Sequence, residues 1–376
     1  MVKTDFLIVG CGFYGSVIAE RISNVLKKEV IIIDQRHHIG GNCYSEIDNT
    51  TGVEYHKYGT HIFHTSIDEV WKYLSNFSVF NSYRHQVLTK YKNKIFQLPI
   101  NLETINFFFK KNFSPTEAQN YLKIITKKYQ KKNYENFEEK ALSQIGLSLY
   151  SAFIKNYTKK HWNKNTKYLP STIFDRLPLR FNYREDYFNN CKHQGIPDKG
   201  YTDIFNKLLG NKKIKVVLNK EYKLGENKIV PKYTTIYTGA LDKLFDFEIG
   251  KLEWRSLKFK KRILNLNDFQ GTSVINYPET KFKYSRVHEP KHLHIDRDYP
   301  KNKTLVIEEY PCKNDNEPYY PINSQKNRIL HRKYKSKADS IHKFEYGGRL
   351  ADYAYYDMDM TISAALKKFK KIQKKI

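Results

Sequence analysis

Near the N-terminus, Gly10-Cys11-Gly12-Phe13-Tyr14-Gly15 carries the spacing GxGxxG, and the acid Asp34 follows about 20 residues further on. The three glycines have separate physical uses. Gly10 permits a tight turn, Gly12 lets a pyrophosphate approach the backbone, and Gly15 lets a helix pack on a strand. Phe13, inside the motif, counts with the candidate binding residues. The start of the following helix would stabilise phosphate charge, and the Asp34 carboxylate would accept from adenosine ribose hydroxyls. A glycine turn in an unrelated α/β fold is the plainer alternative, and it has no use for the acid.

The flanking pattern agrees. An apolar run over 6–9 precedes the glycines. Val17, Ile18, Ile22, Val25 and Leu26 then recur at helical spacing, and a second apolar run over 30–33 ends at Asp34. This is a βαβ dinucleotide unit. The stretch Asp34-Gln35-Arg36-His37-His38-Ile39-Gly40-Gly41-Asn42 adds a second glycine pair directly after the acid. Such a pair lets the chain cross close to a bound diphosphate or flavin, with Arg36 supplying charge, so FAD is favoured over NAD. An ordinary loop with a Gly-Gly turn is the alternative.

The elements that must position these residues extend well beyond one unit. At 376 residues the chain exceeds what one compact core usually organises, and two or three domains are expected. With 40% hydrophobic and 15% aromatic residues it can build those cores. No apolar run approaches the roughly 20 residues of a membrane-spanning helix. A strand within a few residues of Met1 leaves no room for a signal peptide, so a cytoplasmic location is expected. Cys11, Cys43, Cys191 and Cys312 form no CxxC pair and have no His at metal-ligand spacing, which fits reduced structural thiols and no metal.

The formal charge of +27 raises the question of nucleic acid. The lysines are spread over the whole chain with no nucleic-acid-binding module around them, so no nucleic-acid partner is expected. The lysine-rich ending (Lys367, Lys368, Lys370, Lys371, Lys374, Lys375) offers either a solvated helix face or a contact with an anionic membrane surface.

From about 68 to 165 the pattern reads as mostly helical. Ser114-Pro115-Thr116-Glu117 is a capping-box start with Pro at the first helical position. Phe137, Ala141, Ile145, Leu149, Phe153 and Tyr157 step by four, the stripe of one long amphipathic helix. After Pro170, strands are expected over 214–218, 235–237, 273–277 and 305–309. Gly347-Gly348-Arg349 then precedes a last helix lined by Ile362, Ala365, Leu366, Phe369 and Ile372.

Several blocks together carry a family resemblance: DQRHHIGGN (34–42), YGTHIFHT (58–65), LPIN (98–101), YTKKHW (157–162), RLPLRFNY (176–183), YYPI (319–322) and GGRLADYAYYDMDMTI (347–362). In this order, over nearly the whole chain, they resemble the UDP-galactopyranose mutase family, bacterial flavoenzymes that interconvert the pyranose and furanose forms of UDP-galactose. The resemblance implies an α/β protein with a glutathione-reductase-like FAD-binding Rossmann domain, an inserted helical domain and an inserted antiparallel sheet domain. The implied FAD domain takes residues 1–80, about 197–245 and about 316–376. The helical domain takes 81–175, and the sheet domain 176–196 with 246–315.

The implied reaction is attack of reduced flavin N5 on the anomeric carbon with departure and return of UDP, without net redox change, for cell-surface glycan synthesis. NADH or NADPH would serve as reductant, and the family is commonly dimeric. Departure of a diphosphate calls for guanidiniums, which bind phosphate oxygens in pairs. Arg176 and Arg286 match the family's two phosphate-binding arginines. By the same resemblance Tyr157 stacks on uracil with Phe153 and Trp162 nearby, though periodicity alone would put Phe153 and Tyr157 in a core. Tyr187, Tyr319, Tyr320 and Tyr355 match tyrosines that contact diphosphate or sugar.

His61 is expected beside the flavin, responding to its redox state, and His64 is left unassigned. Arg349 is expected near flavin and substrate, and Asp357 on the ribityl or pyrophosphate part. Met358 opens a helix aimed at the flavin N1–C2=O edge. Several relatives read Pro where this chain has Thr60. The substrate stays open between UDP-galactose and UDP-N-acetylgalactosamine. An FAD-dependent oxidase of the amine-oxidase type is the alternative class, and it would have no need of RLPLRFNY or the paired arginines.

Overall fold

The apolar stretch that opens the chain becomes the strand Val2–Val9, central in a five-stranded sheet. Ile229–Tyr237 and Val30–Ile33 flank it, Phe344–Tyr346 and Ile214–Val217 form the edges, and every pairing is parallel. Strands covered on both faces read as unbroken apolar runs, and Val30–Ile33 is buried at each position. On one face Val17, Ile18 and Ile22 of the helix Phe13–Val25 pack with Ile362, Ala365 and Phe369 of the C-terminal helix Met358–Gln373. On the other, Leu7, Val9 and Ile31 meet Leu241, Tyr334 and Ala338. The computed structural model describes residues 2–188, 191–313 and 317–376, with Arg176 described by its backbone alone.

A seven-stranded sheet stands beside this unit, in the order Tyr320–Pro321, Trp254–Leu264, Thr304–Cys312, Arg286–His288, Val274–Asn276, Val87–Tyr91, Lys94–Leu98. It departs from the sequence expectation. The sheet is mixed, because Val274–Asn276 runs parallel to Val87–Tyr91. Its last two strands come from the stretch read as helical. There Val87 and Thr89, and then Phe96 and Leu98, alternate into the core, while Lys92 and Asn93 adopt φ of 47° and 61°. Two such residues between paired Tyr91 and Lys94 make a tight hairpin. Among the described residues, 176–196 give this sheet no strand. His193–Gly195 pairs instead with Phe63–Thr65.

Helices Leu102–Phe109, Pro115–Thr126, Phe137–Leu149 and Lys155–Trp162 gather around one apolar core. Ser114 forms the expected capping box with Glu117. The stripe from Phe137 to Phe153 is buried as expected, but it is not one straight helix. Gly146 takes φ 71°, and a π-helical turn, Tyr150–Ile154, separates the two helices. A π turn holds an extra residue and breaks the i+4 register, so Tyr157 leaves the stripe and faces a cavity. At the other end of the chain, Lys368 and Lys375 pair with Glu345 and Lys370 with Glu69, so half of the terminal lysine run is neutralised within the fold.

Candidate functional site

A cavity of about 420 Å³ opens at the carboxyl ends of the parallel strands, lined by Gly10, Gly12, Asp34, Gln35, Arg36, Gly41, Asn42, His61, Arg349 and Met358. Ligands of doubly wound sheets lie at such ends. The glycines act as their spacing implies. Gly10 has φ 105°, and a Cβ on Gly15 would sit 2.0 Å from the Gly10 carbonyl oxygen. A Cβ on Gly41 would come within 3.1 Å of Gly12 Cα, so the two glycine loops meet backbone to backbone. Asp34 ties them to the strand: Oδ2 accepts from the Cys11 amide at 2.8 Å and Oδ1 from the Arg36 amide at 2.9 Å. Arg36 lies 4.3 Å over the Tyr58 ring, and Gln35 Oε1 accepts from Lys243 Nζ at 2.9 Å.

Burial, then the Arg349 charge, push the His61 imidazole down to about 4, and its Nδ1 lies 2.6 Å from the Gly59 carbonyl oxygen. In this state the ring is neutral at working pH. The Phe13 ring packs inward, 4.6 Å from Phe205, because the helix face it occupies is the core face, and the residue still counts in the cavity lining. Asp357 is the N-cap residue of Met358–Gln373 and stands beside the lining. Burial pushes the Cys11 and Cys43 thiols up to about 12, and all four cysteines are free.

A second cavity, of about 800 Å³, is lined by Tyr157, Trp162, Tyr187, Arg286 and Tyr355. The two adjoin where Arg349 approaches the Tyr355 ring at 6.0 Å. Arg286 lies 5.8 Å over the Tyr157 ring and 3.5 Å from Glu309. Tyr320 stacks on Tyr355, centroids 5.3 Å apart and planes 11° apart. Phe153 reaches the lining but is a core residue, packed on Tyr91, Phe96 and Phe108. Tyr319 lines neither cavity. It is 3% exposed and packs with Tyr58 and Leu257, and Tyr320, also absent from both linings, packs against the same cluster. The Arg176 side chain lies outside what is described, while Phe174 and Leu177 on either side line the larger cavity. His64 stacks on Phe188 at 3.6 Å.

Sequence reasoning missed His161 and Asn276, which line the larger cavity with His161 Nδ1 and Asn276 Oδ1 buried and unpaired among the described residues. His161 stood inside a quoted block; nothing in the sequence flagged Asn276. Lys220, Thr238, Lys243 and Trp254 of the smaller cavity were missed too, because they come from segments distant in the chain. Among the described residues one trio, Asp268, Glu289 and His292, gathers ligand atoms within 4.8 Å. Lys291 Nζ, 3.5 Å from Asp268 and 3.8 Å from Glu289, already supplies its cation.

Fold and cavities together define an α/β protein with a Rossmann-like dinucleotide unit feeding a larger ligand chamber. A family model described as NAD(P)-binding Rossmann-like domain matches residues 8–77, and one described as UDP-galactopyranose mutase matches residues 152–355. The chain is 38% identical over 370 residues to dTDP-fucopyranose mutase of Escherichia coli, covering 96% of each. It is 39% identical over 372 residues to a probable UDP-galactopyranose mutase of Klebsiella pneumoniae, covering 98% of this chain and 94% of the relative. Among solved structures, reduced UDP-galactopyranose mutase superposes with TM-score 0.77 at 14% identity, covering 100% of this chain and 95% of the other. A putative protoporphyrinogen oxidase from Exiguobacterium follows at TM-score 0.66 and 9% identity, covering 100% and 99%. The chain belongs to the UDP-galactopyranose mutase family. Among the described residues no helix is long and apolar enough to cross a membrane.

Proposed function

We propose that the protein interconverts the pyranose and furanose forms of a nucleoside-diphosphate hexose, with UDP-galactose as substrate and FAD as cofactor. The observation that carries this reading is Arg286 held over Tyr157 in a chamber that joins the dinucleotide cavity at Arg349 and Tyr355. An FAD-dependent oxidase needs a flavin site but no diphosphate arginine above an aromatic platform.

The smaller cavity suits FAD. Its two glycine loops leave backbone amides, not side chains, around the start of the helix Phe13–Val25, where a pyrophosphate is stabilised. Asp34 would take the adenosine ribose. The start of Met358–Gln373, the positive end of its dipole, would face the flavin, with His61 and Arg349 beside it. Bound and reduced, FAD supplies the N5 nucleophile for the anomeric carbon, and no net electrons move. The protein's own residues do the rest. Tyr157 and Trp162 would hold the base, and Arg286, with Arg176 as its proposed partner, would carry diphosphate charge as the glycosidic oxygen leaves. Tyr187, Tyr320 and Tyr355 would close the chamber around sugar and diphosphate.

In this reading the helical unit and the mixed sheet are insertions in the FAD unit. Ile124 and Leu147, 73% and 52% exposed on the helical unit, support a homodimer. A cytoplasmic location and NADH or NADPH as reductant complete it. The E. coli relative, at similar identity, favours a second substrate, dTDP-fucose. The test is turnover by dithionite-reduced protein without electron acceptor, run in parallel on UDP-galactofuranose, dTDP-fucofuranose and the N-acetylated UDP-sugar. Ring interconversion of one of them without net oxidation is expected; products that require stoichiometric oxidation would replace this reading with an oxidase.

A further inference from the structure

The lysines of YTKKHW read from sequence as a solvated helix face. One of them is half-buried. Lys160 Nζ donates to the main-chain carbonyls of Tyr277, Glu279, Phe282 and Tyr284, the last three at 3.2, 3.2 and 3.0 Å. None of these acceptors is a carboxylate. The nearby Glu279 side chain is engaged elsewhere, by Lys281 at 3.3 Å and the Lys92 amide at 3.2 Å. Three ammonium protons cannot pair singly with four carbonyls, so the group acts as a charge centre in a carbonyl cage, as a desolvated monovalent cation does.

The caged segment, 277–285, has a definite place. It is the loop joining the antiparallel strands Val274–Asn276 and Arg286–His288, and its two ends, Asn276 and Arg286, face each other across the pair. Both line the larger cavity. The loop closes on itself through the Tyr277 amide to the Ser285 carbonyl at 2.9 Å. It also rests on Glu309, through the Ser285 amide to the Glu309 carbonyl at 2.8 Å. Lys160 in turn sits three residues after Tyr157, one helical turn along the same face. A single side chain therefore joins the helix bearing the aromatic platform to the hairpin bearing the guanidinium above it.

We propose that Lys160 is a positioning residue for diphosphate binding: by caging its ammonium in the 277–285 loop it sets Arg286 over Tyr157. This rests on the reading of Arg286 as a diphosphate ligand. An arginine at this position would keep the charge but present a planar fork where the cage requires a compact donor. A neutral side chain would leave the carbonyls without a donor and the hairpin free to shift.

The experiment measures calorimetric binding of UDP and of uridine to the flavin-loaded protein and to Lys160→Met, Lys160→Arg, Arg286→Ala and the Lys160→Met/Arg286→Ala pair. Lys160→Met should weaken UDP binding on the order of tenfold, the scale of a misplaced charge-assisted contact, and leave uridine binding unchanged. Lys160→Arg should recover part of the loss. In the Arg286→Ala background Lys160→Met should add nothing. The proposal is overturned if Lys160→Met binds UDP like wild type, weakens uridine equally, or adds its full effect to Arg286→Ala. Should Lys160→Met fail to fold, Lys160→Arg decides: wild-type UDP affinity in it overturns the proposal. Wild-type UDP affinity in Arg286→Ala instead rejects the diphosphate reading itself, and the proposal with it.

Discussion

Glu309 Oε2 lies 3.5 Å from Arg286 Nη1, and the same oxygen accepts from His288 Nε2 at 3.1 Å. His288 Nδ1 is 2.8 Å from Thr60 Oγ1, so the geometry selects the tautomer that donates to the carboxylate and accepts from the hydroxyl. Thr60 thus anchors a line of side chains that ends on Arg286. Against a burial that would raise it, Arg286 and then the His288 hydrogen bond hold the Glu309 carboxyl well below the usual carboxylate range. Glu309→Gln should leave Arg286 without its counter-charge and lower ligand-free stability by roughly 3 kcal/mol. A diphosphate would then take the place of Glu309 as the anion facing Arg286. Thermal unfolding with and without UDP checks this: the ligand-free Tm should fall and the UDP-induced rise should exceed that of wild type.

The glycine loops make a prediction with a built-in contrast. A Cβ on Gly15 would sit 2.0 Å from a backbone oxygen, whereas on Gly12 it has 3.9 Å to its nearest neighbour, Gly41 Cα. Gly15→Ala should therefore unfold at lower temperature in any state. Gly12→Val should fold but carry little flavin, because its branches fill the space kept for the pyrophosphate. Absorbance at the flavin band per protein, read beside Tm, separates the two. Full flavin occupancy in folded Gly12→Val would contradict the placement of the phosphate site.

The dinucleotide unit was legible because its constraints are local: a turn, a backbone approach and a packing contact each demand glycine at a set spacing. The stripe from Phe137 to Phe153 was legible for a similar reason, since each helical turn shows one face to one core. Where the reading missed, the deciding contact was distant in the chain. The hairpin over 87–98 is short, and its alternation is masked by lysines that face solvent. Tyr319 and Tyr320 are alike in type, yet Tyr319 is core with Tyr58 and Leu257 while Tyr320 reaches His161 and Tyr355. Lys160 reads as one more surface lysine until residues more than a hundred positions away supply its cage.

Acid should destabilise the protein over a defined window. Burial, reinforced by Arg349 at His61, by Arg286 at His85 and His161 and by Arg297 at His294, pushes these imidazoles down to about 4, 3, 4 and 4 respectively. His56 is pushed lower than its ordinary value as well, by burial and neighbouring histidines. Between these values and the unfolded value near 6.5 the unfolded chain binds more protons. Stability therefore rises with pH across that window, and it is lost as pH falls from about 6.5 toward 4. Tm measured at pH steps from 7.5 to about 4.5 checks it. A flat profile there would mean that these rings are hydrated in solution.

His161 offers the sharpest single test of the larger cavity. Its Nδ1 is buried without a partner among the described residues, its ring lies parallel to Tyr157 at 6.1 Å, and Tyr320 approaches it at 5.3 Å. An unpaired buried polar atom is a cost in the ligand-free protein, and a substrate that hydrogen-bonds to it removes that cost. His161→Phe keeps the ring stacking and drops the nitrogen. Ligand-free stability at pH 7 should rise by roughly 1 kcal/mol, and UDP-sugar affinity should fall about tenfold. The acid-induced loss of Tm should also shrink by one proton's share. Calorimetry and unfolding curves measure all three in one variant, and unchanged affinity would remove His161 from the ligand's contacts.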